Sequence, residues 1–142
     1  MTSTLQLDIV SAEAQLFSGP VKVVYAPGAL GDMGIEPGHA PLITLLRPGC
    51  IRAILFDDQE EVFYVSSGSL EVQAHIVTVL ADTAVRAENL DESLALEVRS
   101  RAENTLSTAK DTFNYAASLT ELAETAAKIR AIQRMRSIKR KS

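Results

Sequence analysis

The sequence predicts an α+β fold: an N-terminal antiparallel β-sandwich over residues 1–86, then a C-terminal antiparallel two-helix hairpin over residues 87–142. Three observations predict it. Short apolar stretches separated by turn residues recur up to position 82 at intervals of roughly 8–12 residues, the pattern of a sandwich or flattened barrel. Every glycine and proline precedes Val85, so nothing from there to Ser142 breaks a helix. In that second part the composition shifts to Ala, Glu, Leu, Arg and Lys, and apolar residues recur three and four positions apart.

Residues 5–9 alternate apolar and polar, the period of a half-buried strand. A second strand is predicted over residues 21–25, entered by Gly19-Pro20 and left by Pro27-Gly28. The stretch from Gly31 to Leu42 is too dense in glycine and proline for a helix and suits tight turns between short strands. Pro48-Gly49 turns the chain into a strand over 50–56. The acidic run Asp57-Asp58-Gln59-Glu60-Glu61 then predicts an exposed hairpin loop whose carboxylates are solvated. Residues 62–65 return, and strands at 70–72 and 76–80 follow the turns Ser66-Ser67-Gly68 and Ala74-His75.

Asp91 stands where a helix N-cap belongs, with Glu92 in the first turn. Leu94, Val98, Ala102 and Leu106 then step by four along one face. Residues 107–112 form a polar connection, with Asp111 or Thr112 capping the next helix. Along that helix Tyr115, Leu119, Leu122, Ala126, Ile129, Ile132 and Met135 trace a seam with a period near ~3.5. So short a connection makes the helices antiparallel neighbours.

The net charge of −4 conceals an asymmetry. Residues 1–84 carry three basic groups against ten acidic ones, whereas residues 85–142 carry eleven against eight. The excess gathers at the end, in Lys128, Arg130, Arg134, Arg136, Lys139, Arg140 and Lys141, with no acid among them. Helix-dipole compensation needs only a cation or two in the last turn, so the block predicts contact with an acidic partner. No aromatic interleaves these charges and the sandwich is acidic, which argues against nucleic acid.

Residues for chemistry are scarce. Neither a phosphate-binding GxxxxGK[ST] loop nor a GxGxxG turn is present. Two histidines, His39 and His75, and one cysteine, Cys50, make no conventional zinc cluster and no recognisable triad. No catalytic residue, cofactor or metal is therefore expected. Cys50 fits a small buried hydrophobe. No run of about 18 apolar residues spans a membrane, and residues 1–4 lack the basic and apolar regions of a signal peptide.

Val10-Ser11-Ala12-Glu13, Phe17-Ser18-Gly19, the run Gly31-Asp32-Met33-Gly34-Ile35 with Pro37-Gly38-His39-Ala40-Pro41-Leu42, and Val79-Leu80-Ala81-Asp82-Thr83-Ala84 resemble the epsilon subunit of bacterial F-type ATP synthases. The likeness covers essentially the whole chain, in order and spacing. It implies a non-catalytic rotor subunit, peripheral on the cytoplasmic face of the inner membrane. Its sandwich binds the gamma subunit and the c-ring, with Asp32 and His39 facing the c-ring. It also implies a mobile hairpin. Compact, the hairpin permits rotation; extended, its second helix reaches the alpha and beta subunits and blocks ATP hydrolysis. The positions matching that inhibitory contact are Arg130, Arg134, Arg136, Lys139 and Arg140, with Lys141 beyond them.

The resemblance has one departure. ATP-sensing relatives carry [IL]DxxRA at the start of the first hairpin helix. Here the stretch is Leu90-Asp91-Glu92-Ser93-Leu94-Ala95, and leucine cannot supply a guanidinium fork to a phosphate. Asp91, Arg99 and Arg101 are the remaining candidates for such a site, so ATP binding is expected to be weak or absent. The competing expectation is an ATP-binding regulatory sensor.

Overall fold

The computed structural model describes residues 4–108 and 111–141, apart from the side chains of Thr112 and Lys141. The side chain of Lys141 in the basic block and residues 109–110 of the 107–112 connection therefore lie outside what is described. Among those described, ten strands run β1 Leu5–Ser11, β2 Gln15–Val21, β3 Val23–Gly28, β4 Gly31–Ile35, β5 Leu42–Leu46, β6 Gly49–Ile54, β7 Glu60–Val65, β8 Gly68–Gln73, β9 Ile76–Ala81 and β10 Ala84–Arg86. A single 3-10 turn, Ala87–Asn89, leads to helices α1 Glu92–Thr108 and α2 Thr112–Lys141.

The strands form one hydrogen-bonded path, β10-β7-β6-β3-β5-β8-β9-β1-β2, with β4 paired to β3. It folds into two layers where β3 meets β5 at a single register position, Gly28 opposite Leu46. At the far end Arg86 on β10 donates to the Leu16 carbonyl on β2 at 2.8 Å. The sandwich is thus nearly closed. Between the layers lie Leu5, Leu7, Ile9, Val24, Ile35, Ile51, Phe63, Leu70, Val77 and Val79, all fully buried. This is the alternate-residue core that the period-two pattern requires.

Three strand expectations need correction. The pairing is not wholly antiparallel: β1 and β9 run parallel, from Gln6 opposite Ile76 to Ser11 opposite Ala81. The intervening strands supply the long connection that a parallel pair needs. The single strand expected at 21–25 is two, β2 and β3, and Gly19-Pro20 lies inside β2 rather than before it. Among the described residues β2 pairs with β1 alone, so the missing Pro20 N–H faces the free edge at little cost. The acidic run is not all loop, because Glu60 and Glu61 open β7.

Gly68 begins β8 at φ 149°, and a Cβ there would lie 2.0 Å from the Leu80 carbonyl oxygen, so no other residue fits. Asp91 caps α1 by accepting from the Leu94 N–H at 3.2 Å, and Asp111 caps α2 by accepting from the Asn114 N–H at 2.7 Å.

Strand β7 is buried on both faces. Phe63 and Val65 enter the sandwich core, whereas Val62 and Tyr64 point outward into a second cluster with Ala87, Ala127 and Ala131. Cys50, Val85, Leu90, Met135 and Ile138 close around that cluster. Helix α2 therefore lies across β6 and β7 with small residues at the closest approach. A neighbouring stripe of α2, with Ser118, Thr125, Ile129 and Ile132 buried, packs in the hairpin with Ala95 and Ala102 of α1. The predicted seam is followed in part: Ile129 and Ile132 are buried and Leu122, Ala126 and Met135 half-buried, whereas Tyr115, Leu119 and Leu94 are 48%, 45% and 53% exposed and the small Ser118 and Ala95 beside them are buried instead. Small side chains let the two helix axes approach closely, which an aromatic seam would prevent.

Candidate functional site

The most distinctive ionic arrangement sits where α2 crosses the sandwich. Arg134 presents a fork to Glu60, with Nε donating to Oε2 at 2.7 Å and Nη2 donating to Oε1 at 2.8 Å. Parallel charge-assisted bonds of this kind are the strongest pairing two side chains offer. The Glu60 side chain is only 9% exposed, and Arg52 lies 3.7 Å from the same Oε2. That bond to Glu60 raises the Arg134 pKa above its already high value, with burial acting against it. Strand geometry explains the placement. Glu60 is the first residue of β7 and stands opposite Ile54 of β6, on the same outward face as Val62 and Tyr64 beneath α2. Its neighbour Glu61 faces the other way and pairs with Arg86 at 3.2 Å.

The predicted basic block is consequently not a uniform free stripe. Arg134 is held by Glu60, and Arg136 pairs with Glu92 at the start of α1. Arg130 is exposed and lines an open cleft of about 610 Å³ that also takes in Tyr25, Asp32, Arg47, Arg52 and Arg134. Lys139 and Arg140 are exposed near the end of α2.

Cys50 lies beneath the helix, with its Sγ 3.6 Å from the Ala127 carbonyl oxygen. Burial pushes its thiol pKa up, partly offset by the positive charges of Arg130 and Arg52. The Tyr64 phenol is pushed well up by burial and then by Glu124, and Lys128 Nζ stands 5.2 Å from the centre of its ring.

Asp32 is the second residue of β4, opposite Pro27 of β3, and His39 lies in the connection between β4 and β5. Asp32 is paired with Arg47, whose Nε also donates to the Gly28 carbonyl at 3.0 Å, so the acid is tethered to the turn that presents it. The His39 Nδ1 lies 2.8 Å from the Ala40 carbonyl oxygen, after a Gly38 at φ 88° that turns the chain outward. Neither side chain is buried.

Around Asp91 there is a cavity of about 120 Å³ lined by Leu90, Asp91, Leu94, Ala95, Val98, Thr125 and Lys128. Arg99 and Arg101 do not line it; Arg99 pairs with Glu103 one turn on, at 3.6 Å. The three candidates are therefore not brought together, and Asp91 is occupied as a cap. No group of His, Cys, Asp and Glu able to hold a metal is found among the described residues. Calorimetry of the chain with ATP is expected to show no tight site that Asp91→Ala abolishes. A tight, saturable isotherm lost in that variant would restore the sensor reading.

Sequence reasoning missed Glu60, Arg52 and Glu92. One signal was available: Val62-Phe63-Tyr64-Val65 is a continuous apolar run, the mark of a strand covered on both faces. A covered β7 places alternate residues, Glu60 included, under whatever covers it.

What these features have in common is ion pairing and apolar contact between the helices and the sandwich. A family model described as the beta-sandwich domain of the ATP synthase Delta/Epsilon chain matches residues 4–87. The ATP synthase epsilon chain of Acinetobacter baumannii (strain AYE) is 52% identical over 135 residues, covering 95% of this chain and 97% of its own length. That of Nitrosococcus oceani is 51% identical over 136 residues, covering 96% and 97%. A chain of the Euglena gracilis mitochondrial ATP synthase, in its OSCP/F1/c-ring assembly, shares the fold at TM-score 0.81 and 19% identity, over 89% of this chain and 80% of that one. A chain from the central stalk and c-ring of the Tetrahymena thermophila enzyme does so at 0.59 and 12%, over 90% and 96%. The chain belongs to the ATP synthase delta/epsilon family. It is a non-catalytic member of that complex.

Proposed function

We propose that this chain is a central-stalk rotor subunit that helps couple proton flow to ATP synthesis, and that its C-terminal hairpin restrains ATP hydrolysis. In this reading residues 1–86 dock to the gamma subunit and the c-ring, and residues 87–142 regulate. The complex holds the chain peripherally on the cytoplasmic face of the membrane. Among the described residues no helix is long and apolar enough to cross one.

The sandwich has the surfaces this role requires. The outer face of β5, β8 and β9 is left uncovered by the hairpin and carries Ile43, Leu45 and Leu80 at 74%, 67% and 54% exposure. Leu45 and Leu80 flank Ser69 in one register row, so the patch is continuous and suits an apolar partner such as gamma. Asp32 on β4 and His39 in the connection after it are both unburied, where they suit polar segments of the c-ring.

The observation that carries the regulatory half is the way α2 is held. Its closest contacts to the sandwich are Ala127 and Ala131, which bury little apolar area each, and its strongest single bond is the Arg134–Glu60 fork. Such an element has two packings within reach of each other, and a partner able to offer Arg130, Arg134, Arg136, Lys139 and Arg140 other acids selects the second.

Deleting the residues after Ala87 tests this reading. The truncated chain is expected to assemble and sustain proton coupling, while ATP hydrolysis by the isolated complex rises. Unchanged hydrolysis with assembly intact would remove the regulatory half. The deletion also uncovers Val62 and Tyr64, so it is best made with Val62→Thr to limit aggregation.

A further inference from the structure

We propose that Glu60 is an internal competitor for Arg134: the sandwich carries its own copy of the acidic partner that the hairpin meets when extended. The inference deepens the regulatory reading above and rests on it for the identity of the outside competitor. Its internal half stands on geometry alone. Glu60 is fixed on β7, so its fork with Arg134 exists only while α2 lies against the sandwich, and the helix cannot keep it and carry Arg134 to an acid elsewhere. Release of the helix from one acid is therefore part of its capture by the other. The hairpin β6–β7 is built as such a decoy. Asp57, Asp58, Glu60 and Glu61 give it the composition of an acidic recognition segment. Of these, Glu61 pairs with Arg86, Asp58 pairs with Lys22 and Asp57 accepts from the Gln59 N–H, all within the sandwich, leaving Glu60 the one directed at α2. Arg52, 3.7 Å from the same carboxylate, keeps Glu60 positioned and charge-balanced once Arg134 departs. The loss of the helix then leaves no unpaired buried charge behind. Arg136 repeats the pattern with Glu92 of α1, so opening the hairpin also frees a second guanidinium.

The chain carries its own reporter. Cys50 is its single cysteine and lies under α2 against Ala127, so thiol labelling reads whether the helix is docked. In the full-length isolated chain, Glu60→Gln is expected to speed Cys50 labelling about tenfold or more, the effect of one lost charged bond. Glu61→Gln, which breaks an equally acidic position away from α2, is expected to leave the rate unchanged. Arg134→Gln is expected to speed labelling to a similar extent, and the double variant Glu60→Gln, Arg134→Gln no more than either alone, a non-additivity that general unfolding does not give. Equal labelling of wild type and Glu60→Gln would overturn the decoy. In the assembled complex, Glu60→Gln is expected to deepen inhibition of hydrolysis, because only the compact state loses a bond. Faster labelling with unaltered inhibition would overturn the competition with an outside acid. Failure of the regulatory reading itself shows separately, in the deletion after Ala87.

Discussion

Ala131→Phe is expected to lift α2 from the sandwich and push the assembled complex toward its inhibited state. Ala131 is fully buried in the cluster it shares with Val62, Tyr64 and Ala127, so a benzyl group there has no space without moving the helix. Overpacking of this kind costs about 1–3 kcal/mol. That is a large part of the roughly 5.5 kcal/mol that carries a two-state equilibrium from 1:99 to 99:1. The substitution leaves every charge in place and does not touch the inhibitory residues. In the isolated chain it is expected to make Cys50 accessible while the sandwich keeps its β spectrum. In the complex, ATP hydrolysis is expected to fall below wild type. Hydrolysis equal to wild type with Cys50 exposed would show that undocking and inhibition are separate events.

Arginine substitutions on α2 are less informative than these. Arg134→Glu removes the fork to Glu60 and, in the proposed extended state, the contact with the catalytic head as well. Its net effect on inhibition is the difference of two losses. Arg136 has the same double use, through Glu92. Sandwich-side and alanine substitutions change one state alone.

How much of this could be read beforehand follows from what each residue must satisfy locally. The strands at 5–9, 70–72 and 76–80 were legible because each alternates between a packed core and an open face. The caps at Asp91 and Asp111 were legible because they answer to backbone N–H groups within three residues. Strand β2 was not, since Gly19-Pro20 mean a turn in most contexts and only its position at the sheet edge makes them tolerable. The helix seam was legible at Ile129 and Ile132 but not at its start, where Tyr115 and Leu119 fit the period yet stay exposed and the small Ser118 is buried instead. Glu60 was missed for a related reason. Its role comes from a partner 74 positions later in the chain, and the unbroken apolar run after it shows that β7 is covered without showing by what.

The same docking can be fastened rather than loosened. Ala127 is fully buried over Cys50, whose sulfur reaches the Ala127 carbonyl oxygen, so Ala127→Cys places a second thiol beside the native one. A disulfide between them would join β6 to the centre of α2 and hold the compact state, closing a loop of some seventy-odd residues, a constraint worth about 4 kcal/mol in the chain-entropy account. No other cysteine competes for either partner. Because the locked helix cannot leave the sandwich, its basic residues cannot reach an acidic surface elsewhere.

The decisive measurement is ATP hydrolysis by the Ala127→Cys complex, oxidised and then reduced in the same sample, with formation of the crosslink verified by mass. High, uninhibited hydrolysis in the oxidised sample that falls to the wild-type level on reduction is the predicted result. Equal inhibition in both, with the crosslink complete, would contradict the claim that α2 must leave Glu60 and the sandwich in order to inhibit.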